Sequence, residues 1–235
     1  MLKRAVILAG GKGTRLYPYT TVLPKPLMPI GEYTILEIII KQLVAHGFSK
    51  ITITVNHQAE LIKSFFGDGQ RWNINIDYSL ETKPLSTMGP LTLIDDLPDK
   101  FLVMNGDILT NLNFSNFYES HNYSDLFTIS SFTREINSNF GVLGINKDNR
   151  LINFQEKPIL NFDVSMGIYM LSRSVLNYIP LDQKYGFDDL MLDLISQNLY
   201  PQVNKFDGYW LDIGRPDDYA TAHEQFVTRI SEFLP

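Results

Sequence analysis

Three observations predict an α/β fold. Strand-like apolar runs alternate with helix-like runs through the first half of the chain. The first of these runs, Ala5-Val6-Ile7-Leu8-Ala9, is apolar throughout, as a strand buried on both faces must be, and it breaks at once into glycines. The second half changes to strand-like runs with short connections, the pattern of a sheet that turns partly antiparallel.

Taken in order, residues 34–46 read as a helix that starts at Thr34 as N-cap and stops before Gly47. It is apolar on most faces and so belongs in the interior. Ile51–Val55 is the second strand, 58–66 a helix closed by Gly67-Asp68-Gly69, and Ile74–Tyr78 an alternating strand. A helix near 88–95 precedes a buried strand at Phe101–Met104. Strands are then expected at 125–133, 140–145, 151–155 and 163–171, helices near 172–178 and 187–198, and a short strand at Gly208–Asp212. A last helix runs from about 216 to 230, where Pro216 suits a first turn. No repeat or linker interrupts the pattern, which predicts one compact domain with two lobes.

Composition narrows the function. The 235 residues are 44% apolar and 20% charged, enough for a sizeable core and too apolar for disorder. The net charge of −6 argues against a general nucleic-acid or membrane-surface binder, though a local cationic pocket can sit on an acidic protein. The absence of cysteine excludes thiol nucleophiles and zinc–thiolate sites and fits a reducing cytoplasm. The apolar run behind Met1-Leu2-Lys3-Arg4 is too short for a signal peptide, and Ile35–Val44 is broken by polar residues and shorter than the roughly 20 residues of a membrane span.

The chemistry-bearing stretch is Gly10-Gly11-Lys12-Gly13-Thr14-Arg15, followed by Pro24-Lys25-Pro26. Glycines after a buried strand let backbone N–H groups approach a phosphate with no Cβ in the way. Arg15 offers a guanidinium fork and Lys25 a compact charge that its flanking prolines should hold extended and stiff. The loop is not a triphosphatase loop, because Gly13 stands where Ser or Thr should follow Lys12. It is not a dinucleotide fingerprint either, because Leu16 occupies the third glycine position.

Two acids close apolar strands. Asp107 ends Phe101–Met104-Asn105-Gly106, and Asp212 ends Tyr209-Trp210-Leu211. Ligands of open α/β sheets bind at the carboxyl ends of strands, and magnesium prefers one or two carboxylates plus substrate phosphates. Glu156-Lys157-Pro158 repeats the lysine-before-proline device, which suits a second phosphorylated substrate. The histidines, His46, His57, His121 and His223, are scattered and receive no catalytic role.

Together these motifs, with Pro84-Leu85-Ser86-Thr87-Met88-Gly89 and Trp210-Leu211-Asp212-Ile213-Gly214, resemble the sugar-1-phosphate nucleotidyltransferases, in order, from residue 3 to about 220. The resemblance implies a Rossmann-like three-layer fold with a mostly parallel mixed central sheet and a small antiparallel sugar-binding lobe. It implies one catalytic domain over 1–235, its nucleotide-binding part about 1–110 and its sugar-binding part about 111–235, without a C-terminal hexapeptide-repeat extension. The implied reaction is NTP + sugar 1-phosphate → NDP-sugar + pyrophosphate, assisted by Mg2+. Arg15 would meet the departing phosphates, Lys25 would neutralise the reacting centre, and Asp107 and Asp212 would hold the metal. Leu8, Gly10, Gly11, Gly13 and Thr14 would contact the nucleotide, joined on the base side by Glu81, Ser86 and Gly89. Glu156 would bond sugar hydroxyls, Lys157 would grip the sugar phosphate, and Gly141 and Gly167 would lie under the ring. The partners expected are these two substrates, with no nucleic acid and no membrane; a homo-oligomer stays open.

Two departures bear on substrate identity. Ser86 stands where many members have glycine, and Ser165-Met166-Gly167 replaces the usual Asn-Ala-Gly. A carboxylate at 81 only accepts hydrogen bonds, so it suits the adjacent N1–H and N2–H of guanine better than the single donor of uracil or thymine. The sequence therefore favours GTP and a manno-configured sugar, as in mannose- or heptose-1-phosphate guanylyltransferases, with UTP or dTTP as the alternative and Glu81 as a solvated loop acid if neither base meets it. A metal-dependent glycosyltransferase would more typically carry Asp-x-Asp, where this chain has Asn105-Gly106-Asp107. A non-catalytic sensor could lose Arg15, Lys25 or Asp107, and all three are present.

Overall fold

The computed structural model describes residues 2–11, 13–56 and 58–234. Lys12 of the glycine loop and His57 lie outside them.

Along the chain the elements are β1 (Lys3–Leu8), β2 (Pro29–Ile30), β3 (Tyr33–Thr34), α1 (Ile35–Ala45), β4 (Phe48–Val55), α2 (Ala59–Phe66), β5 (Asn75–Leu80), β6 (Lys100–Asn105) and β7 (Ile108–Thr110). They continue with α3 (Phe114–Ser120), β8 (Phe127–Asn137), β9 (Val142–Ile145), β10 (Leu151–Gln155), β11 (Ile159–Ser172), α4 (Phe187–Ser196), β12 (Gln202–Phe206), β13 (Trp210–Asp212), α5 (Pro216–Thr228) and α6 (Ile230–Phe233). Seven strands form the central sheet in the order β12-β8-β11-β6-β1-β4-β5. β1 pairs in parallel with β4 and β6, and β4 with β5. β11 runs antiparallel between β6 and β8, and β12 is parallel to β8. The sheet is therefore mixed and mostly parallel, as the sequence predicts.

Strand alternation makes the layers. Ala5 and Ile7 of β1, Leu102 and Met104 of β6 and Ile168 and Met170 of β11 point into one core, beneath α1, α2, α3, α5 and α6. Val6, Phe101, Val103, Tyr169 and Leu171 point into a second core under α4 and two 3-10 helices, Gly89–Leu93 and Arg173–Tyr178. Successive side chains on a strand face opposite ways, so a strand apolar throughout must be covered on both sides. Thr34 caps α1 by accepting from the Glu37 N–H at 3.2 Å, a contact worth about 1 kcal/mol.

Several elements differ from expectation. The helices expected near 88–95 and 172–178 are 3-10 helices, each too short for regular α-geometry beside Pro90 or the strand end at Ser172. The Pro24-Lys25-Pro26 segment is not extended: Pro24 is, but Lys25–Leu27 turns, with the Leu27 N–H on the Pro24 carbonyl at 2.8 Å. α3 and β12 were not foreseen. α3 is built of Ser, Asn and aromatics, weak helix formers, and is started by the Asn113 side chain accepting from the Asn116 N–H at 2.9 Å. β12 is an edge strand with a mostly exposed, polar sequence. β8 and β11 are longer than predicted and leave the sheet as an exposed two-stranded arm, and the β9–β10 hairpin between them in sequence forms its own small antiparallel sheet. No helix among the described residues is long and apolar enough to cross a membrane.

Candidate active site

The site forms where β1, β4 and β6 end. The Ala9 N–H donates to the Thr54 carbonyl at 3.0 Å and the Gly106 N–H to the Leu8 carbonyl at 2.9 Å. These bonds carry the ladder past the last strand residues and hold the glycine loop against the turn that presents Asp107. A side chain at 106 would crowd that approach, since a Cβ there would stand 3.1 Å from the Leu8 oxygen. Gly13 has φ +61, a left-handed conformation that opens the 3-10 turn Thr14–Leu16. Its carbonyl accepts from the Leu16 N–H at 3.0 Å and from the Thr20 hydroxyl at 2.8 Å. Leu16 is buried and anchors the turn, while Arg15 is left exposed at the rim.

Lys25 is buried although it is a lysine. Burying an unpaired ammonium is costly, and here its Nζ donates to Oδ2 of Asp107. The other oxygen of that carboxylate, Oδ1, is buried and has no hydrogen-bond partner among the described residues. β7 and β13 pair antiparallel with Asp212 opposite Ile108, and the Ile213 N–H donates to the Asp107 carbonyl at 2.9 Å. This pairing sets the two acids side by side. Burial, and after it the Asp107 charge, raise the Asp212 pKa, against the pull of Lys25 and Arg15. A Cβ on Gly214 would stand 3.3 Å from Arg15 Nη1 and 3.3 Å from Asp212 Oδ2, so Arg15 and Asp212 converge there. The lone buried oxygen and the like-charged neighbour are what a magnesium ion would satisfy, completing its shell with phosphate and water oxygens. Asp107 and Asp212 would hold it; among the described residues no cluster of three or more His, Asp or Glu offers a closed cage.

Three connected cavities surround this centre. The first, about 380 Å³, is lined by Leu8, Gly10, Gly11, Glu81, Ser86 and Asp107, with Thr54, Asn56 and Asn105. The second, about 270 Å³, is the cradle itself, lined by Gly11, Gly13, Thr14, Arg15, Lys25, Asp107 and Gly214. The third, about 780 Å³, is lined by Arg15, Phe132, Arg134, Trp210, Asp212 and Arg215, among others. Leu8, Gly11 and Asp107 join the first to the second, and Arg15 joins the second to the third.

Glu81 is not a solvated loop acid. It is 6% exposed, its N–H donates to the Val55 carbonyl at 2.8 Å, and its Oε2 accepts from the Leu85 N–H at 3.2 Å. Burial raises its pKa, against the Leu85 hydrogen bond. It lies over Gly10, where a Cβ would meet Oε1 at 2.3 Å. Ser86 has φ +66, a left-handed conformation costing a residue with a Cβ about 1–2 kcal/mol, which explains why glycine suits this position. Gly89 is buried and does not line the cavity: its N–H donates to the Tyr185 carbonyl at 3.0 Å, and a Cβ would meet the Gln183 oxygen at 2.5 Å.

The residues expected around a sugar fall into two groups. Gly167 is buried with φ +72 in the bulge of β11, its missing side chain making room for Asn105. The Trp210 indole N–H donates to the neighbouring Met166 carbonyl at 3.0 Å. Gly141 and Glu156 sit together, a Cβ on Gly141 falling 2.7 Å from the Phe154 ring and 3.1 Å from Glu156 Oε2. These two and Lys157, with φ +44, lie on the exposed arm and line none of the three cavities. Arg134, Arg215, Thr54 and Asn56 were not foreseen. Alternation along β8 does put Arg134 on the face of Phe132, but nothing local marks that face as a cavity wall.

Among the described residues, His46, His121 and His223 stay outside the centre. His121 is buried between the Thr128 and Ser172 hydroxyls, His46 bonds the Gln42 carbonyl, and His223 accepts from the Gly31 N–H.

The sequence profile described as nucleotidyl transferase matches residues 4–229. The chain belongs to the nucleotidyl transferase family. Among its relatives in that family, it is 34% identical to a UTP–glucose-1-phosphate uridylyltransferase from Synechocystis, with 96% of this chain and 64% of the relative aligned. It is also 34% identical to a mannose-1-phosphate guanyltransferase from Hypocrea jecorina, over 97% and 65% of the two chains. The nucleotidyl transferase chain thus spans just under two thirds of the length of these relatives. HddC from Yersinia pseudotuberculosis, solved with GMP-PN, superposes with a TM-score of 0.73 at 27% identity, over 96% of this chain and all of that one. A solved Bacillus anthracis structure, at 24% identity and a TM-score of 0.77 over 95% and 94%, shares the fold.

Proposed function

We propose that this chain joins a nucleoside triphosphate to a sugar 1-phosphate, releasing pyrophosphate. The observation that carries the reading is the convergence of Arg15, Lys25, Asp107 and Asp212 around one glycine-lined cradle. The nucleophile is a phosphate oxygen of the sugar 1-phosphate, already anionic at neutral pH. It bonds to the α-phosphorus as the bond to the bridging oxygen of pyrophosphate breaks. No general base is needed. The barrier lies in bringing anions together and in the charge that builds on the leaving group. Lys25, Arg15 and the loop N–H groups meet that charge from fixed positions. Bound magnesium would add neutralising charge at Asp107 and Asp212. Asp107 orients Lys25 through its Oδ2 and keeps Oδ1 free for the metal.

GTP is the nucleotide we favour, with a manno-configured sugar. Glu81 presents a carboxylate into the first cavity, an acceptor pair for guanine N1–H and N2–H. The mannose-1-phosphate guanyltransferase relative and HddC with GMP-PN are consistent with this choice. One observation favours a second reading. A UTP–glucose-1-phosphate uridylyltransferase is among the relatives at 34% identity, and the Glu81 carboxyl would offer uracil or thymine a donor beside an acceptor only in its protonated form. Gly141, Glu156 and Lys157 would meet the sugar from the arm, and the cytoplasm supplies both substrates. Incubation with each NTP, magnesium and a panel of sugar 1-phosphates decides. Pyrophosphate release with GTP and mannose 1-phosphate is the expected result; release with UTP or dTTP alone would transfer the assignment to the second reading.

A further inference from the structure

We infer that Arg134 and Arg215 form the seat for the phosphate of the sugar 1-phosphate, at the end of the site opposite the base. This rests on the nucleotidyl transfer proposed above and adds two residues to it. Three guanidiniums, those of Arg15, Arg134 and Arg215, line the 780 Å³ cavity. Among the described residues the arginine ion pairs are those of Arg4 and Arg229, so none of the three is neutralised by a carboxylate within 4.0 Å. Nor do the three donate side-chain hydrogen bonds among the described residues; those arginine bonds come from Arg4, Arg173 and Arg229. Guanidiniums exposed to one cavity and spent on no internal partner are poised for an anion.

The rest of the wall says which anion. Phe132 and Trp210 stand with ring centroids 5.6 Å apart, and the indole is locked by its bond to the Met166 carbonyl. An aromatic wall suits the C–H face of a sugar ring, and the Asp218 and Glu135 carboxylates in the same cavity can accept from hydroxyls. A triphosphate tail would leave both features idle, and the cradle already provides it with Lys25, Arg15 and loop N–H groups. Position agrees. The base-side cavity meets the cradle at Gly11 and Asp107, whereas this cavity meets it at Arg15. This cavity thus opens on the reacting centre away from the base, and Asp212, which would hold the metal there, lines it as well. Arg134 reaches the cavity from the end of β8, which runs along its wall from Phe132 to Asn137, and Arg215 from the residue before the first turn of α5, directly after Gly214.

The test is steady-state kinetics of the full chain, varying each substrate, for the wild type and the Arg134→Gln, Arg215→Gln and double variants, with Arg134→Lys and Arg215→Lys as conservative controls. Losing a charged hydrogen-bond donor to phosphate should raise the KM for the sugar 1-phosphate about 10- to 100-fold per arginine. The KM for the NTP should stay within about twofold, and the lysine variants should recover part of the loss. An unchanged sugar-phosphate KM, or a rise confined to the NTP, overturns the assignment while leaving nucleotidyl transfer intact. Calorimetry with mannose 1-phosphate and with glucose 1-phosphate, on the wild type and the double variant, separates the two claims. Binding that the double variant loses, in a wild type that releases no pyrophosphate with any pair, would uphold the phosphate seat and sink the transfer reading; equal binding by both proteins sinks the seat. Circular dichroism melts confirm that each variant is folded before it is scored.

Discussion

The Lys25 ammonium donates to Oδ2 of Asp107, a residue 82 positions further along the chain. The pair joins the turn after the glycine loop to the end of β6, and each partner holds the other in place. Replacing Asp107 with Asn leaves shape and a hydrogen-bond acceptor but removes the charge that fixes Lys25 and would hold a metal. Turnover should fall by about 100- to 1,000-fold or more, the size expected for one preorganised charge at a phosphoryl centre. Nucleotide binding should persist in part, because the glycine loop and the Glu81 cavity are untouched. Pyrophosphate release and calorimetric titration of the NTP check the two halves; normal turnover would remove Asp107 from the centre.

Glu81→Gln addresses the base. The change keeps an acceptor for the Leu85 N–H but swaps an acceptor pair for one donor and one acceptor. The kcat/KM for GTP should fall about 10- to 100-fold and that for UTP should rise, if a carboxylate reads guanine. Stability gives an independent readout. Burial raises the Glu81 pKa, so the folded state resists the charged form. The native protein holds that proton more tightly than the unfolded chain does. Stability therefore declines as pH rises through the carboxylate range, and the cost is absent below it. Glu81→Gln should melt higher than wild type at pH 7, with the gap closing as pH drops below about 4.5, the ordinary value for glutamate.

Much of this was readable in advance, and what was not has physical causes. The buried runs at Ala5–Ala9 and Phe101–Met104 announce a sheet covered on both faces, because only such strands can be apolar at every position. Asp107 follows from its place at a strand end. The closeness of Asp212 does not follow from its own neighbourhood: it arises from β7 and β13 pairing, two three-residue strands far apart in sequence. Lys25 was recognised as a cation, but its burial was not, since burial depends on the Asp107 partner that makes it tolerable. Arg134 and Arg215 carry no local signal at all. An arginine on a strand or before a helix is ordinary, and only the tertiary packing of β8 and the start of α5 beside Trp210 brings both to one cavity.

Gly10→Ala tests the fit of loop to acid. The added Cβ would fall 2.3 Å from Glu81 Oε1, and the carboxylate, tied to Leu85, must move out of its present position. The KM for the NTP should rise about tenfold, in line with the loss of one well-placed polar contact. The melting temperature should change little, because the displaced group is the end of one side chain rather than backbone. A combined Gly10→Ala, Glu81→Gly variant should recover the space but not the base preference.

His121 should govern part of the acid sensitivity. Burial, and after it the Lys100 charge, push its pKa down to about 4, and its ring nitrogens are occupied by the Thr128 and Ser172 hydroxyls at 2.8 and 3.1 Å. Between pH 6.5 and 4 the unfolded chain takes up a proton on this ring that the folded chain refuses. The unfolded state then binds more protons, so stability rises with pH across that window and is lost as pH falls. The full effect amounts to about 3 kcal/mol at pH 4 relative to pH 7, a substantial share of a typical domain's stability. His121→Gln cannot titrate, so urea unfolding midpoints followed from pH 7 to pH 4 should fall less steeply than those of the wild type, even if the variant starts lower at pH 7 for want of one hydrogen bond. Parallel slopes in the two proteins would mean that other groups carry the acid response.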